Sequence, residues 1–116
     1  MTATESTLDT LIHRFARAAE RLSEAIDALD ETAANRQSAI LTALNESIRK
    51  QGAAGTAKLQ SLLEHPSEAV AATAALYLLD QKPDLAEAVL ERVAKTEGML
   101  GFRAQVALER WRASQC

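Results

Sequence analysis

The feature that most constrains this chain is a long apolar pattern of helical period near its start. Between residues 8 and 29, apolar side chains recur three or four positions apart, and neither glycine nor proline interrupts them. This spacing places the side chains on one side of an α-helix, whereas a strand would alternate every second residue. The pattern predicts a first helix that begins near Thr7, where Ser6 and Asp9 resemble a capping box. Its apolar positions are Leu8, Leu11, Ile12, Phe15, Ala18, Ala19, Leu22, Ala25, Ile26 and Leu29.

A second helix is predicted to follow at once. Asp30 is a suitable N-cap, Glu31 places negative charge in the first turn, and Gly52 ends the helix. Its apolar side comprises Ala33, Gln37, Ile40, Leu41, Leu44 and Ile48. Because so few residues separate the two helices, residues 7–51 are expected to form an antiparallel hairpin. One continuous helix through Asp30 is the alternative.

Four shorter helices are predicted in the second half of the chain. The segment 52–55, Gly-Ala-Ala-Gly, is interpreted as a hinge, and Thr56 as the cap of a third helix that ends at His65-Pro66. Ser67 is the predicted cap of a fourth helix, which stops near Gln81.

Pro83 suits the first turn of a fifth helix, because its missing amide hydrogen costs nothing there. The apolar face of that helix is predicted to comprise Leu85, Val89, Leu90 and Val93. Gly98 and Gly101 bracket the connection to a sixth helix, which starts at Phe102 and ends near Arg112. Its apolar positions are predicted to be Phe102, Val106, Ala107, Leu108 and Trp111.

A weak repeat links the last four helices. Apolar residues recur at an offset of 31 or 32 positions, pairing Leu59 with Leu90, Leu62 with Val93, Ala75 with Ala107 and Leu79 with Trp111. This is the pattern of stacked helical hairpins, each of which covers the exposed apolar side of its neighbour. A single all-α domain over residues 1–116 is predicted, in which the hairpin 7–51 precedes two repeats at 56–80 and 83–113.

Composition and charge narrow the class of partner. The chain has 116 residues and a net charge of −3, and no basic stripe is present, so nucleic acid is disfavoured and a basic protein partner is modestly favoured. Apolar runs of membrane-spanning length and the pattern of an export signal are missing, which predicts a cytoplasmic protein with no membrane contact. The single cysteine, Cys116, is interpreted as a reduced tail residue.

The residues capable of chemistry do not form a catalytic pattern. His65 precedes proline in a turn, where its ring is expected either to satisfy backbone groups or to point to solvent, and not to act as a ligand or general base. His13 has Arg17 at i+4, so no metal-binding pair is completed on that helix. The Gly52–Gly55 segment lacks the lysine and the hydroxyl residue of a phosphate-binding loop. No enzyme, cofactor, metal site or catalytic residue is therefore predicted.

Two groups of residues are predicted to contact a partner. On the fourth helix, Thr73, Tyr77 and Asp80 share a face that lies off the apolar stripe and would line the inner side of a helical stack. On the last helix, an exposed binding cluster is predicted from Arg110, Trp111 and Arg112. For Trp111, packing against Ala107 and Leu108 is the competing interpretation.

The second half also resembles a known family. The matching residues are Leu62-Leu63-Glu64-His65-Pro66, Ala74-Ala75, Leu78-Leu79, Pro83, Ala86, Leu90-Glu91, Gly101-Phe102, Ala104, Leu108 and Trp111-Arg112. Looser agreement in the first half involves Leu11-Ile12, Arg14-Phe15 and Ala33-Ala34-Asn35-Arg36. Together they resemble the bacterial family called domain of unknown function two thousand nineteen, over most of residues 8–112. One departure is Val70-Ala71, where the family tends to carry Val-Arg.

The resemblance implies a short HEAT-like α-solenoid without established catalysis, of a type found among the products of toxin and immunity loci. The leading hypothesis is an immunity protein or adaptor that binds and neutralises a protein partner. One alternative is a homo-oligomer in which the stripe at Leu8, Phe15, Leu22 and Leu29 packs against a second copy. Another is a nucleic-acid-binding repeat, if Arg14, Arg17 and Arg21 cluster along one side.

Overall fold

A computed structural model describes the backbone of residues 3–115 and the side chains of residues 7–115, and it is all-helical over that part of the chain. The elements are α1 (Ala3–Asp27), α2 (Glu31–Arg49), α3 (Ala53–Ser61), a 3₁₀ turn (Leu62–Glu64), α4 (Glu68–Leu78), α5 (Pro83–Ala94) and α6 (Met99–Ser114). The prediction of six helices is confirmed. The interpretation of Cys116 lies outside the described residues.

Three of the predicted helix starts are confirmed. The side chain of Asp30 accepts a hydrogen bond from the Ala33 amide at 3.0 Å, and Ser67 accepts one from the Val70 amide at 3.4 Å. Each satisfies an amide that has no partner within the helix. Pro83 occupies the first turn of α5. These starts were predictable because the capping group lies within three residues of the amide that it serves.

The turn between α1 and α2 forms the predicted break, but it contains an unexpected leucine. The amide of Asp30 donates to the Ala25 carbonyl at 2.8 Å, and that of Leu29 donates to the Ile26 carbonyl at 3.0 Å. This is a Schellman motif, in which the residue at the position of Leu29 takes a left-handed backbone and is usually glycine. Leu29 has φ 58° and is 88% exposed. Its predicted place on the buried stripe of α1 is wrong, because the helix ends before it.

The start predicted for the first helix is also wrong. The helix α1 begins at Ala3, so Ser6 lies inside it and is not its N-cap. The capping box near Thr7 therefore does not set the start of α1. At the other end of the hairpin, Gly52 terminates the turn after α2 as predicted.

The third and sixth helices begin earlier than predicted, at Ala53 and Met99. Each follows a glycine with left-handed φ, 67° for Gly52 and 97° for Gly98, a conformation that other residues adopt only at a cost. Thr56, predicted to cap the third helix, lies inside it and places its hydroxyl 3.5 Å from the side-chain oxygen of Gln81. The backbone of the glycine, and not a side-chain cap, sets the start of each helix.

A second glycine follows three residues later in both helices, and it permits close packing. A Cβ on Gly55 would lie 2.0 Å from the carbonyl oxygen of Ile48, and one on Gly101 would lie 2.0 Å from that of Thr96. Gly55 is therefore a packing residue of α3 and not part of a hinge. Gly101 lies inside α6, which corrects the predicted start at Phe102.

One hydrophobic core contains residues of all six helices. Its largest fully buried side chains are Phe15, Leu41, Ile48, Leu59, Val70, Leu78, Leu90 and Val93. Because Leu8, Phe15 and Leu22 are buried within this chain, that stripe is not available to a second copy, contrary to the alternative proposed from the sequence.

Several residues predicted to be buried are exposed. Ile40 is 37% exposed, Leu85 46% and Phe102 60%. Each lies on the edge of its helix where no neighbouring helix covers it, and periodicity alone does not locate that edge. Over residues 3–115, no helix combines the length and the apolar character that are needed to cross a membrane.

Candidate protein-interaction surface

The seam between α2 and α4 is closed by an arginine. The guanidinium of Arg49 donates to both carboxylate oxygens of Asp80, at 2.9 Å and 3.1 Å, and to the backbone carbonyl of Tyr77 at 2.8 Å. Its hydrogen bonds and positive charge lower the pKa of Asp80 below its usual value. Asp80 is therefore engaged within the chain, although it was predicted to face a partner.

Tyr77 joins the hairpin to α4 through its ring. The ring meets that of Phe15 edge to face, with centroids 5.6 Å apart and planes at 80°, which is a favourable aromatic geometry. Its hydroxyl lies 3.3 Å from the hydroxyl of Thr42. Tyr77 is half-buried, so one edge of its ring is fixed by the core and the remainder faces a groove.

That groove lies where α1, α2, α4 and α6 converge. It has a volume of about 290 Å³ and is lined by Leu22, Ser38, Leu41, Thr73, Leu76, Tyr77 and Arg103. Thr73 is only 5% exposed and forms part of the floor, whereas Leu76 is 37% exposed at the rim. Two of the three residues predicted on this face, Thr73 and Tyr77, are therefore brought together here.

A second depression continues along α6. It has a volume of about 320 Å³ and is lined by Phe102, Arg103, Val106, Ala107 and Arg110. Because Arg103 lines both depressions, we treat them as one surface and call it the Arg103 groove. No acidic residue lines either part, although the whole chain carries a net charge of −3.

Arg103 itself is partly buried, and Asp27 is the acidic residue that acts on its charge. Among the described residues, Arg103 forms no ion pair and no side-chain hydrogen bond. Loss of hydration lowers the pKa of its guanidinium, and the charge of Asp27 at the end of α1 opposes that shift only in part. A guanidinium that loses water without gaining an acceptor destabilises the free protein.

The predicted cluster on the last helix is divided between two sides. Trp111 is partly buried against the core, so the packing interpretation is confirmed. Arg112 pairs with Glu87, at 3.0 Å, and with Glu91 on α5, and both carboxylates raise the pKa of its guanidinium. Arg110 alone lies on the Arg103 groove.

The two histidines occupy unrelated positions. The Nδ1 atom of His65 accepts a hydrogen bond from the Ser67 amide at 3.0 Å, which confirms the structural role predicted for it in the turn. His13 is exposed on α1. Over the described residues, no three histidine, cysteine, aspartate or glutamate side chains are grouped closely enough to hold a metal ion.

The arginines on α1 do not form a basic surface. Arg17 and Arg21 line a shallow depression together with Glu20 and Glu24, so the exposed side of this helix carries both signs of charge. A phosphate backbone requires clustered positive charge, and the acidic neighbours oppose that.

A further concavity, of about 460 Å³, lies between α3 and α5. Ala57, Leu63, Leu85 and Val89 supply apolar lining, and Glu64 and Arg92 supply opposite charges. This groove contains no unpaired buried charge that would select a particular ligand.

Sequence reasoning missed Arg103, Leu76 and Ser38 as surface residues of the groove. Phe102 and Val106 were assigned to the apolar side of the last helix. Their period matches that of buried residues, so no signal in the sequence marks them as exposed. An arginine within an apolar stretch, as in Gly101-Phe102-Arg103-Ala104, is the one available indication.

Comparison with known proteins bears on the fold alone. The crystal structure of the protein RPA1889 from Rhodopseudomonas palustris CGA009 is similar, with a TM-score of 0.83 over 97% of this chain and 94% of that chain. The two sequences share 19% identity. Neither a scan against models of protein families nor a search of curated proteins gives a match.

Proposed function

We propose that this chain is a non-catalytic, protein-binding protein of the immunity type, which neutralises a bacterial toxin or effector by direct binding. The observation that carries the proposal is the Arg103 groove, where apolar side chains surround a partly desolvated arginine that has no hydrogen-bond acceptor among the described residues. Aromatic residues and arginine dominate the energetics of protein interfaces, and the groove presents Tyr77, Phe102, Arg103 and Arg110.

The size of the molecule is compatible with this function. A standard interface covers about 800 Å² on each partner. The accessible surface of this chain is 6854 Å², so such an interface would occupy roughly one-eighth of it. The groove and its rim would form the centre of that area, and surrounding polar residues would exclude water.

The finer architecture belongs to the same proposal. We infer a short HEAT-like α-solenoid, in which the hairpin α1–α2 forms the first layer and the pairs α3–α4 and α5–α6 form the next two. The resemblance to domain of unknown function two thousand nineteen supports this arrangement and the immunity role. The same proposal places the protein in the cytoplasm, where an immunity protein would meet its target before the target acts.

Co-expression with the product of the adjoining gene tests the function. That product is expected to arrest growth of host cells when it is expressed alone, and this chain is expected to restore growth. Purified together, the two proteins should elute from a sizing column as one complex, and light scattering should report one copy of each. The variant Arg103→Glu should lose both rescue and complex formation, because it reverses the charge at the centre of the groove.

The control is Arg21→Glu, which makes the same change on the outer side of α1. It should rescue growth as well as the unchanged protein does. If cells that express the neighbouring product alone survive, the proposed immunity role is contradicted. A complex of this chain only with itself would favour the homo-oligomer instead.

A further inference from the structure

Building on the protein-binding function proposed above, we propose that the Arg103 groove binds an acidic amphipathic segment of the partner. An aspartate or glutamate of that segment pairs with Arg103, and apolar side chains on either side of it fill the two depressions. The negative net charge of the whole chain favours a basic partner, whereas the local positive charge of the groove favours an acidic segment.

The first argument is the contrast between Arg103 and its fellow arginines. Arg49 has the carboxylate of Asp80 and the carbonyl of Tyr77 as acceptors, and Arg112 has two glutamates. Among the described residues no carboxylate or carbonyl accepts a hydrogen bond from Arg103, and Asp27 acts on it only through its charge, although the guanidinium has lost part of its hydration. A carboxylate that arrives with a partner would supply the missing acceptor, and charge-assisted pairs of arginine and carboxylate are stronger than neutral hydrogen bonds.

The second argument is the shape of the groove. Its two parts measure about 290 Å³ and about 320 Å³, and Arg103 lines both. Pockets for small molecules and cofactors run from about 300 to 1,000 Å³, so each part is at the lower limit for such a ligand. Each is suited instead to one or two side chains. A helix with apolar anchors three or four positions before and after an acid would present that pattern.

The third argument is the local charge. The lining includes Arg103 and Arg110 and no acidic side chain. Asp27 acts on Arg103 from the end of α1, but the two arginines outnumber it, so a carboxylate is attracted to the lining. A nucleic-acid backbone is also anionic, but its binding depends on neutralising many phosphates. Two arginines beside Leu76, Phe102 and Val106 fit a mixed acidic and apolar peptide better than a chain of phosphates.

The test is selection of helical peptides on the full-length protein. A phage library of 16-residue peptides is selected on the unchanged protein, and the enriched sequences are synthesised and titrated by fluorescence anisotropy. We expect enriched peptides to carry an aspartate or glutamate with an apolar residue three or four positions away on each side. Arg103→Ala should weaken their binding by about 10- to 100-fold, in the range of coupling measured for close interfacial charge pairs.

Three comparisons make the result specific. Replacing the acid of the peptide by its amide should cost as much as Arg103→Ala, and combining both changes should cost little more. Arg103→Lys should recover part of the affinity, because it keeps the charge and loses the two-pronged geometry. Arg21→Ala, on the outer side of α1, should change the affinity by less than about twofold, as expected for a charge outside the contact. Thermal melts check that each variant is folded.

Peptides whose binding is insensitive to Arg103→Ala would overturn the proposal while leaving protein binding at another surface intact. The absence of any enriched peptide, or the enrichment of basic ones, would also overturn it. A single-stranded oligonucleotide that binds more tightly than the peptides, and that loses affinity in Arg103→Ala, would replace it with a nucleic-acid site. The co-expression experiment decides the proposed function separately from each of these results.

Discussion

Tyr77 separates two regions that use arginine in opposite ways. On one side, the seam between α2 and α4 is closed, because Arg49 is held by Asp80 and by the Tyr77 carbonyl. On the other side, the same tyrosine lines a groove with Arg103, which has no acceptor among the described residues. The closed seam contributes to stability, whereas the open groove keeps a guanidinium whose hydrogen-bond donors are free to bind an acceptor on another molecule. Four predictions test this contrast, from the largest effect to the smallest.

The largest effect on the free energy of unfolding is expected from a comparison of two phenylalanines, one beside Tyr77 and one at the groove. Phe15 is completely buried against Tyr77, so Phe15→Ala should lower the free energy of unfolding by about 3–5 kcal/mol. Phe102 is 60% exposed at the groove, and Phe102→Ala should change it by less than about 0.5 kcal/mol. Urea denaturation measures both. Equal losses would show that the groove is as closely packed as the seam.

The packing of α3 against the end of α2 gives the second prediction. Gly55→Ala should lower the free energy of unfolding by about 1–3 kcal/mol, since the new methyl group would press on a backbone carbonyl that cannot easily move. Ala54→Ser, at the exposed neighbouring position, is the control and should lie within about 0.5 kcal/mol of the unchanged protein. If Gly55→Ala proved neutral, this junction would be looser than its geometry indicates.

The third prediction concerns the free protein. Arg103→Met removes a partly desolvated charge and keeps much of the side-chain volume. It should therefore raise the free energy of unfolding by about 0.5–1 kcal/mol. Replacing a fully buried charge by an apolar side chain can have a larger effect, but this site is partly open to water. For a domain of this size, that gain corresponds to an increase of roughly 2–5 °C in Tm. Arg21→Met, which is exposed, should leave Tm almost unchanged. A lower Tm for Arg103→Met would reveal an acceptor within the chain.

The smallest effect is expected at the closed seam. A double-mutant cycle with Arg49→Met and Asp80→Asn should give a coupling of about 0.2–1 kcal/mol, because the Asp80 side chain is 59% exposed and water screens the pair. The folded pKa of Asp80 lies below the usual aspartate value of 3.8. Its contribution is therefore present above about pH 3.8 and is lost as the pH falls through the folded pKa. A coupling that grew on acidification would contradict the assignment of this ion pair.

Local chemistry explains which parts of the fold could be predicted. Asp30, Ser67 and Pro83 mark helix starts through groups within a few residues, so the sequence is sufficient to locate them. Leu29 continues the apolar period of α1 but lies beyond its end, and only the Schellman hydrogen bonds reveal this. The period describes where a helix would bury residues, not where the helix stops.

The groove depends on long-range packing and was only partly predictable. Thr73 and Tyr77 were placed on one face of α4, because residues four apart share a side of a helix, and both line the groove. The partners that complete the groove come from α1, α2 and α6, and their approach is a property of the whole fold. The pairing of Asp80 with Arg49 was not predicted because the two residues are 31 positions apart in the sequence.

The short corners between helices bear on how this protein is degraded. The connections over the described helices span residues 28–30, 50–52, 65–67, 79–82 and 95–98, apart from the 3₁₀ turn, so none offers a long flexible segment. Proteases cleave most readily at extended, mobile loop tips. Cleavage within this region would therefore require helices to detach first, and the rate of nicking under native conditions would follow the population of opened forms. A partner bound across the groove would lower that population and so lengthen the lifetime of the protein in the cell.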